Sequence, residues 1–309
     1  MTIKTLFSGL CLAVSTALVI LGLICIANPH QSLFYLIDIF TLPILSGTVV
    51  TTALLYAIRQ KYAAWVATAA SLLLILALWP QAFAAQRPAM PGRAPIRVVF
   101  ANMFIRNQHL EKILPWIQRQ NPDIVAMVEV NPWVRQQLMD SLAVDRPYIV
   151  TRYDMVVASR WPIVDEHPRA PGFALITMVV KTPQGDLNLG VTHLTRPWPF
   201  KSVEDQPRQF SRLGGALAPI ATTRFVLVGD FNTPPCAAQI HDFTKRMHLH
   251  TAPALWGTWI SYLPGFLRVN IDNAMASPDL HFDRRHAGSF DGSDHRPIVF
   301  DIRPVKPQR

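Results

Sequence analysis

The sequence predicts an α/β domain carried on a group of apolar helices, and three observations predict it. Half of the 309 residues are hydrophobic and the mean hydropathy is +0.21, too apolar for one ordinary soluble domain. The apolar residues crowd in before residue 86. From residue 96 onward, short apolar runs alternate with helically spaced segments, the pattern of β-α-β units. The third observation is the stretch from Phe225 to Pro235. Its apolar run breaks at Gly229, and Asp230 and Asn232 then precede a double proline that permits neither strand nor helix. An acid and an amide on a rigid loop after a strand stand where α/β sheets bind ligands. Asp and Asn are also ordinary turn residues, so this stretch needs company to count as a site.

Residues 1–85 read as a three-span membrane anchor. Leu6 to Ala27 carries no charge and is long enough to cross a bilayer. Leu33 to Ile58 is also long enough, with Asp38 near its start and Pro43 inside it. A window from Ile39 to Ile58 spans without Asp38, which places that acid at the interface rather than among functional intramembrane acids. Tyr62 to Trp79 is the third span, with Tyr62, Trp65 and Trp79 placed as interfacial aromatics. Lys4, Arg59 and Lys61 fall on one side of this topology, and the Asn28 to Ser32 connector, without Lys or Arg, falls on the other. The positive-inside rule then puts everything after the third span outside the cytoplasm, although Arg87, Arg93 and Arg97 pull the other way. The expectation is a multi-pass protein of the inner membrane with its long domain on the extracytoplasmic side. Ala82-Phe83-Ala84 has the form of a signal cleavage site, but three spans upstream argue against processing.

Residues 86–95, with three prolines, two arginines and a glycine, read as an extended linker. The chain from Gln86 onward holds 26 Lys and Arg against 19 Asp and Glu, so it carries +7 of the total +9. A basic surface suits nucleic acid, phospholipid headgroups or other phosphate esters, and is also common in exported domains generally. Cys11 and Cys25 lie in an apolar segment and Cys236 is alone in the long domain, so no disulfide forms within that domain.

Within residues 96–309, Ile96 to Phe100 is a β-branched run ending at Ala101-Asn102. Gln108 to Arg119 has apolar residues at 110, 113, 114 and 117, a helical spacing that Pro115 will bend. Asp123 to Val128 is a second buried strand, ended by Glu129. Asn131 to Leu142 is another helix, with Pro132 suited to its first turn. Tyr148 to Val150, Met155 to Ser159, Phe173 to Val180 and Leu187 to Thr192 are strands, the last two joined by the turn Pro183-Gln184-Gly185. His193 closes the second of these. Glu204 to Leu217 and Ala237 to Met247 are helix candidates. Arg268 to Ile271 leads into Asp272, and Ser293 to Pro297 precedes a last strand, Ile298 to Ile302. Asn102, Glu129, His193, Asp230, Asn232, Asp272 and the pair Asp294-His295 thus stand at strand ends. A buried acid such as Glu129 carries a large desolvation cost unless something meets it.

The strings P-D-I-V-A-M-V-E (122–129), T-H-L (192–194), G-D-F-N-T-P-P (229–235), I-D (271–272) and S-D-H-R-P (293–297) occur in one order. In that order the chain resembles the endonuclease/exonuclease/phosphatase superfamily from about Ile96 to Ile302. That superfamily takes in nucleases, neutral sphingomyelinases and inositol polyphosphate 5-phosphatases. Two departures blur the subfamily: Met103 stands where an aromatic usually follows the first Asn, and a common glycine is replaced around Asp154-Met155. The resemblance implies a four-layer α/β/β/α sandwich and Mg²⁺-dependent attack of water on a phosphate ester, with Mn²⁺ able to substitute. It implies Glu129 as principal metal ligand, with Asn102 and Asp294 nearby. Asp230 would deprotonate the water and Asn232 would fix water or phosphate. His295, held by Asp272, would donate to the phosphoryl oxygen, and His193 would be the second donor.

The implied partners are a phosphate-ester substrate, nucleic acid or phospholipid headgroup, and the bilayer itself. No protein partner is implied. Phosphodiester hydrolysis of nuclease type is the leading expectation. A phospholipid-directed phosphodiesterase or phosphatase, and a membrane-tethered binding protein without turnover, are the alternatives. Thr195 to Lys201, rich in aromatic and basic residues, would border the site, stacking on bases, dipping into lipid or packing on its own domain. Trp256 to Pro264 invites the same readings.

Overall fold

The computed structural model describes residues 2–27, 32–164, 174–197, 205–289 and 292–306, the side chains of 32, 33 and 35 excepted. Residues 198–201 of the predicted active-site insertion and Glu204 of a predicted helix lie outside the described residues.

Four helices precede the sandwich: α1 (Ile3–Ala27), α2 (Ser32–Ile39), α3 (Thr41–Ala57) and α4 (Lys61–Ala82). Among the described residues, α1 and α4 are the two helices with the full length and apolarity of a membrane span and α3 is a shorter apolar helix, so the expectation of three full-length spans is corrected. The middle segment is divided at Phe40, leaving α3 with 17 residues. Pro43 accounts for the break, because it offers no N–H to the carbonyl of Ile39 and its ring crowds that turn, which kinks or breaks a helix. Pro43 then sits in the first turn of α3, where its missing N–H costs nothing. Asp38 lies within α2, just ahead of α3, and is 1% exposed. Its carbonyl accepts from Thr41 Oγ1 at 2.7 Å and from Cys236 Sγ at 3.7 Å. The adjoining Ile39 packs on Val269 and Ile271, so α2 is docked on the long domain.

The helices run in a definite order. Cys11 and Leu55 both pack near Ala63, Ala64 and Ala67, Gly22 abuts Leu73, and Leu42 meets Leu78. Hence α1 is parallel to α4 while α3 is antiparallel to both.

The long domain runs β1 (Ile96–Asn102), α5 (Leu110–Gln120), β2 (Ile124–Val128), α6 (Pro132–Ala143), β3 (Tyr148–Arg152) and β4 (Met155–Ser159). Next come β5 (Ile163–Val164), β6 (Ala174–Thr182), β7 (Gly185–His193), α7 (Asp205–Leu217), β8 (Phe225–Asp230) and α8 (Ala238–Met247). It ends with β9 (His250–Thr251), β10 (Asp272–Ala276), β11 (Leu280–Ala287) and β12 (Ile298–Pro304). One sheet has the order β11-β12-β1-β2-β4-β3 and the other β5-β6-β7-β8-β10-β9.

Strand alternation sorts the core into layers. Val98, Phe100 and Ala126 face Met178, Leu189, Val226 and Val228 between the sheets. Val99 and Val125, one residue out of phase, face Ile113 and Ile117 of α5 and Leu138 of α6. Phe225 and Leu227 likewise face Phe210 of α7 and Phe243 of α8. The result is helix, sheet, sheet, helix. Local chemistry places the elements: Asn131 Oδ1 caps α6 by accepting from Trp133 N at 2.9 Å, with Pro132 at the first helical position.

Three details differ from the sequence-based expectation. The Phe225 strand does not break at Gly229 but runs on to Asp230. Gly229 is needed for close approach, since a Cβ there would stand 2.1 Å from Thr192 O of β7. Asp272 opens β10 instead of ending a strand. β11, charged along its length, lies at the edge of its sheet, where such residues are tolerated, and its pattern carries little alternation to read. Residues of the expected linker are fixed to β11 and β12: Gln86 bonds Phe282 through both ends of its amide, and Met90 N donates to Pro304 O at 2.8 Å.

Candidate active site

Register brings the polar strand ends together. β1 and β2 are parallel, with Asn102 opposite Val128, so Asn102 and Glu129 emerge at one end of their sheet. In the other sheet, Asp230 is flanked by His193 of parallel β7 and by Asp272 of antiparallel β10. A single cavity of about 680 Å³ includes Glu129, His193, Asp230, Asn232, Asp294 and His295 among its lining residues.

Asn102 Nδ2 donates to Glu129 Oε1 at 3.0 Å and to Asp230 Oδ2 at 3.1 Å, so two carboxylates from different sheets converge on one amide. Its Oδ1 accepts from Phe104 N at 2.9 Å. Glu129, in the left-handed region at φ 52°, also accepts from Ile105 N at 3.2 Å. Asp230 is 1% exposed and its second oxygen accepts from Asn232 N at 2.8 Å, while Asn232 Nδ2 donates to Leu194 O. His193 Nε2 faces both acids, 3.5 Å from Glu129 and 3.7 Å from Asp230. His295 Nδ1 lies 2.8 Å from Asp272 Oδ2, and its Nε2 lies 3.8 Å from Asp230. Of the predicted residues, Asp294 stands somewhat apart, its Oδ2 accepting from Trp259 Nε1 at 3.2 Å.

Electrostatics follow from burial. Burial pushes the Asp230 carboxyl up to about 6, and Asp272 beside it adds to the rise against the pull of the two histidines. Burial alone would disfavour a charged His295, but Asp272 and Asp230 outweigh it and lift the imidazole to about 10. The buried trio therefore holds a histidinium against two acids.

Ligand atoms of Glu129, His193 and Asp230 lie within 4.8 Å of one another, as do those of Asp230, Asp272 and His295. The second group is satisfied internally by its ion pair. The first presents two carboxylates beside His193 Nε2, and hard carboxylate oxygens are the ligands that a small divalent cation such as Mg²⁺ prefers.

Several contributors had no role assigned to them from the sequence. Ser293 Oγ donates to Asn102 O at 2.8 Å and accepts from His295 N at 3.1 Å, tying the S-D-H turn to β1. Trp259 positions Asp294 from 35 residues away, and Arg285 Nη2 holds Asp272 O at 2.6 Å from β11. Long-range pairings of this kind leave no local pattern.

Solved structures share this architecture. An endonuclease/exonuclease/phosphatase from Beutenbergia cavernae DSM 12333 is 22% identical, with TM-score 0.53 over 69% of this chain and 72% of that one. Sphingomyelinase C from Streptomyces griseocarneus is 17% identical, with TM-score 0.50 over 68% and 99%. A beta toxin mutant from Staphylococcus aureus with bound magnesium ions is 13% identical, with TM-score 0.52 over 69% and 100%. No curated protein matches significantly by sequence. The profile of the endonuclease/exonuclease/phosphatase family matches residues 101–295, which run from the end of β1 to the histidine beside Asp272. That span holds every polar strand end described above, and the chain belongs to the endonuclease/exonuclease/phosphatase family.

Proposed function

We propose that this chain is a membrane-anchored, Mg²⁺-dependent hydrolase of phosphodiester bonds with nuclease-like chemistry. The observation that carries the reading is the convergence of Glu129 and Asp230 on Asn102 Nδ2, with one histidine on each side. Glu129, Asn102 and Asp294 would hold the metal, which when bound supplies positive charge to the phosphoryl oxygens. Asp230 accepts the proton of the attacking water, its orientation held by Asn102 Nδ2 and Asn232 N. Asn232 also borders the place of water or phosphate. Asp272 bonds His295 Nδ1, so Nε2 points its proton at the phosphoryl oxygen. His193, nearer the mouth, is the second donor and serves the leaving oxygen. A phospholipid-directed activity is the second reading, favoured by the contact of Ser46 Oγ with Phe266 O, which sets the 254–268 loop against an apolar helix.

The anchor reading rests on α1 and α4, whose large apolar side chains stand exposed, Leu10 at 62% and Leu76 at 60%. Because these helices are parallel, the chain must return between them. α3, at about 25 Å, is at the short end of a crossing. Three crossings put residues 86–309 opposite the N-terminus, outside the cytoplasm. Alkaline phosphatase fused after residue 90 should be active and green fluorescent protein dark, and the reverse pattern would overturn this topology.

The catalytic reading is tested with the purified chain on bis-p-nitrophenyl phosphate, plasmid DNA, RNA and sphingomyelin. Hydrolysis should be abolished by EDTA and restored by Mg²⁺ or Mn²⁺. Turnover that survives excess EDTA would refute it.

A further inference from the structure

A second cavity, of about 400 Å³, shares no lining residue with the catalytic cavity; Leu255, Trp256, Phe266, Arg268, Arg285 and Arg296 line it. Three guanidiniums converge there. Arg285 is anchored through Nη2 to Asn270 Oδ1 at 2.7 Å and to Asp272 O at 2.6 Å. Arg296 is anchored through Nε to Ser261 O at 2.8 Å. Arg268 has one long bond, Nη1 to Gly257 O at 3.3 Å. The Nε atoms of Arg268 and Arg285 are buried and make no hydrogen bond.

Among the described residues, no carboxylate lies within ion-pair distance of any of the three. Asp272 is the one acid acting on Arg285, and its side chain is already committed to His295. Burial, and then the charge of Arg296, push the Arg268 guanidinium below its ordinary range. The three arginines are half-buried, and half-buried like charges without a counter-charge repel one another at a cost that a bound anion lowers.

The walls say which anion. Beside the arginines are Leu255, Trp256 and Phe266, so the ligand has an apolar part next to its charge. Leu255 packs with Leu42 of α3 and Leu78 of α4. Phe266 O accepts from Ser46 Oγ at 2.6 Å. Ser46 lies about 7 Å along α3 from its start. The cavity wall therefore continues into the apolar helices. A guanidinium fork matches phosphate oxygens in a way that a point charge does not.

We propose that this cavity binds the phosphate of an anionic bilayer lipid, separately from the catalytic centre. The inference rests on the membrane-anchored reading, which the fusion reporters test, whereas its own test reads lipid binding, so the failure of one is distinguishable from the failure of the other.

The full chain in detergent micelles is titrated with phosphatidylglycerol, phosphatidylcholine or inorganic phosphate, and bound lipid is counted by native mass spectrometry. Phosphatidylglycerol should be retained about 10-fold better than phosphatidylcholine, the order of one charge-assisted bond. Arg268→Gln should lose that preference, Arg268→Lys should keep part of it, and Glu129→Gln at the catalytic centre should leave it intact. Equal retention of the two lipids by the unaltered chain would overturn the proposal whether or not the variants fold. So would an unchanged preference in a folded Arg268→Gln chain. Displacement of phosphatidylglycerol by an equal concentration of inorganic phosphate would identify a soluble-anion site instead, and failure to displace supports the lipid.

Discussion

Asp230, Asp272 and His295 are 1%, 1% and 6% exposed, whereas the side chains of Glu129 and His193 keep 24% and 21% of their surface. The buried half is set by sheet register: Asp230 sits between its β7 and β10 neighbours, and Asp272 can only face His295 while β10 stays in register. In the open half Glu129 follows the end of β2 and His193 is the last residue of β7, with Glu129 oriented by an amide and a backbone N–H. The difference teaches what each half is suited to. Desolvated charges interact strongly and cannot be rearranged cheaply, which suits proton handling. Partly solvated carboxylates can shed water and accept a cation reversibly, which suits metal exchange.

The largest effect should come from the centre of the buried half. Asp230→Asn should lower turnover by roughly 10³-fold or more while leaving the Mg²⁺ concentration for half-activity nearly unchanged. Near-normal turnover in a folded Asp230→Asn protein would overturn the assignment of roles. A large rise in its Mg²⁺ requirement would instead erase the distinction between the halves.

Next in size, Asp272→Asn and His295→Ala should each cost roughly 10²-fold, and the double variant little more, because groups that act as a unit are not additive. Losses that simply multiply would show that Asp272 serves the fold and not His295. Smallest is the open half: Glu129→Gln should raise the Mg²⁺ needed for half-activity by roughly 10-fold and recover in part at high Mg²⁺, on the scale of losing one metal contact. A loss that no Mg²⁺ concentration relieves would move Glu129 into the buried half's class.

Much of this was legible in the residues because it is local. Asn131-Pro132 announces a helix start and Pro183-Gln184-Gly185 a hairpin. Asn102, Glu129, His193 and Asp230 each follow an apolar run closely enough to be read as the polar end of a buried strand. Period and turn chemistry act over a few residues, so they survive in a one-dimensional string. The helix pattern also showed apolar segments before residue 86, but not that Pro43 would split the second and that α2 would dock on Val269 and Ile271.

Tertiary structure decided whatever depends on residues far apart in sequence. Gly229 reads as a strand break until Thr192 O is seen 2.1 Å from where its Cβ would be. Asp272 opens a strand because β10 pairs with β8, a long-range choice that nothing in Arg268 to Ile271 specifies. Arg268, Arg285 and Arg296 are ordinary basic residues in the string and become one cavity wall only when β11, the 254–268 loop and the turn after Asp294 are packed together. The physical reason is the same in each case: local propensity sets where the chain stiffens and turns, while the burial of distant surfaces against one another sets which polar groups lose water and must find partners.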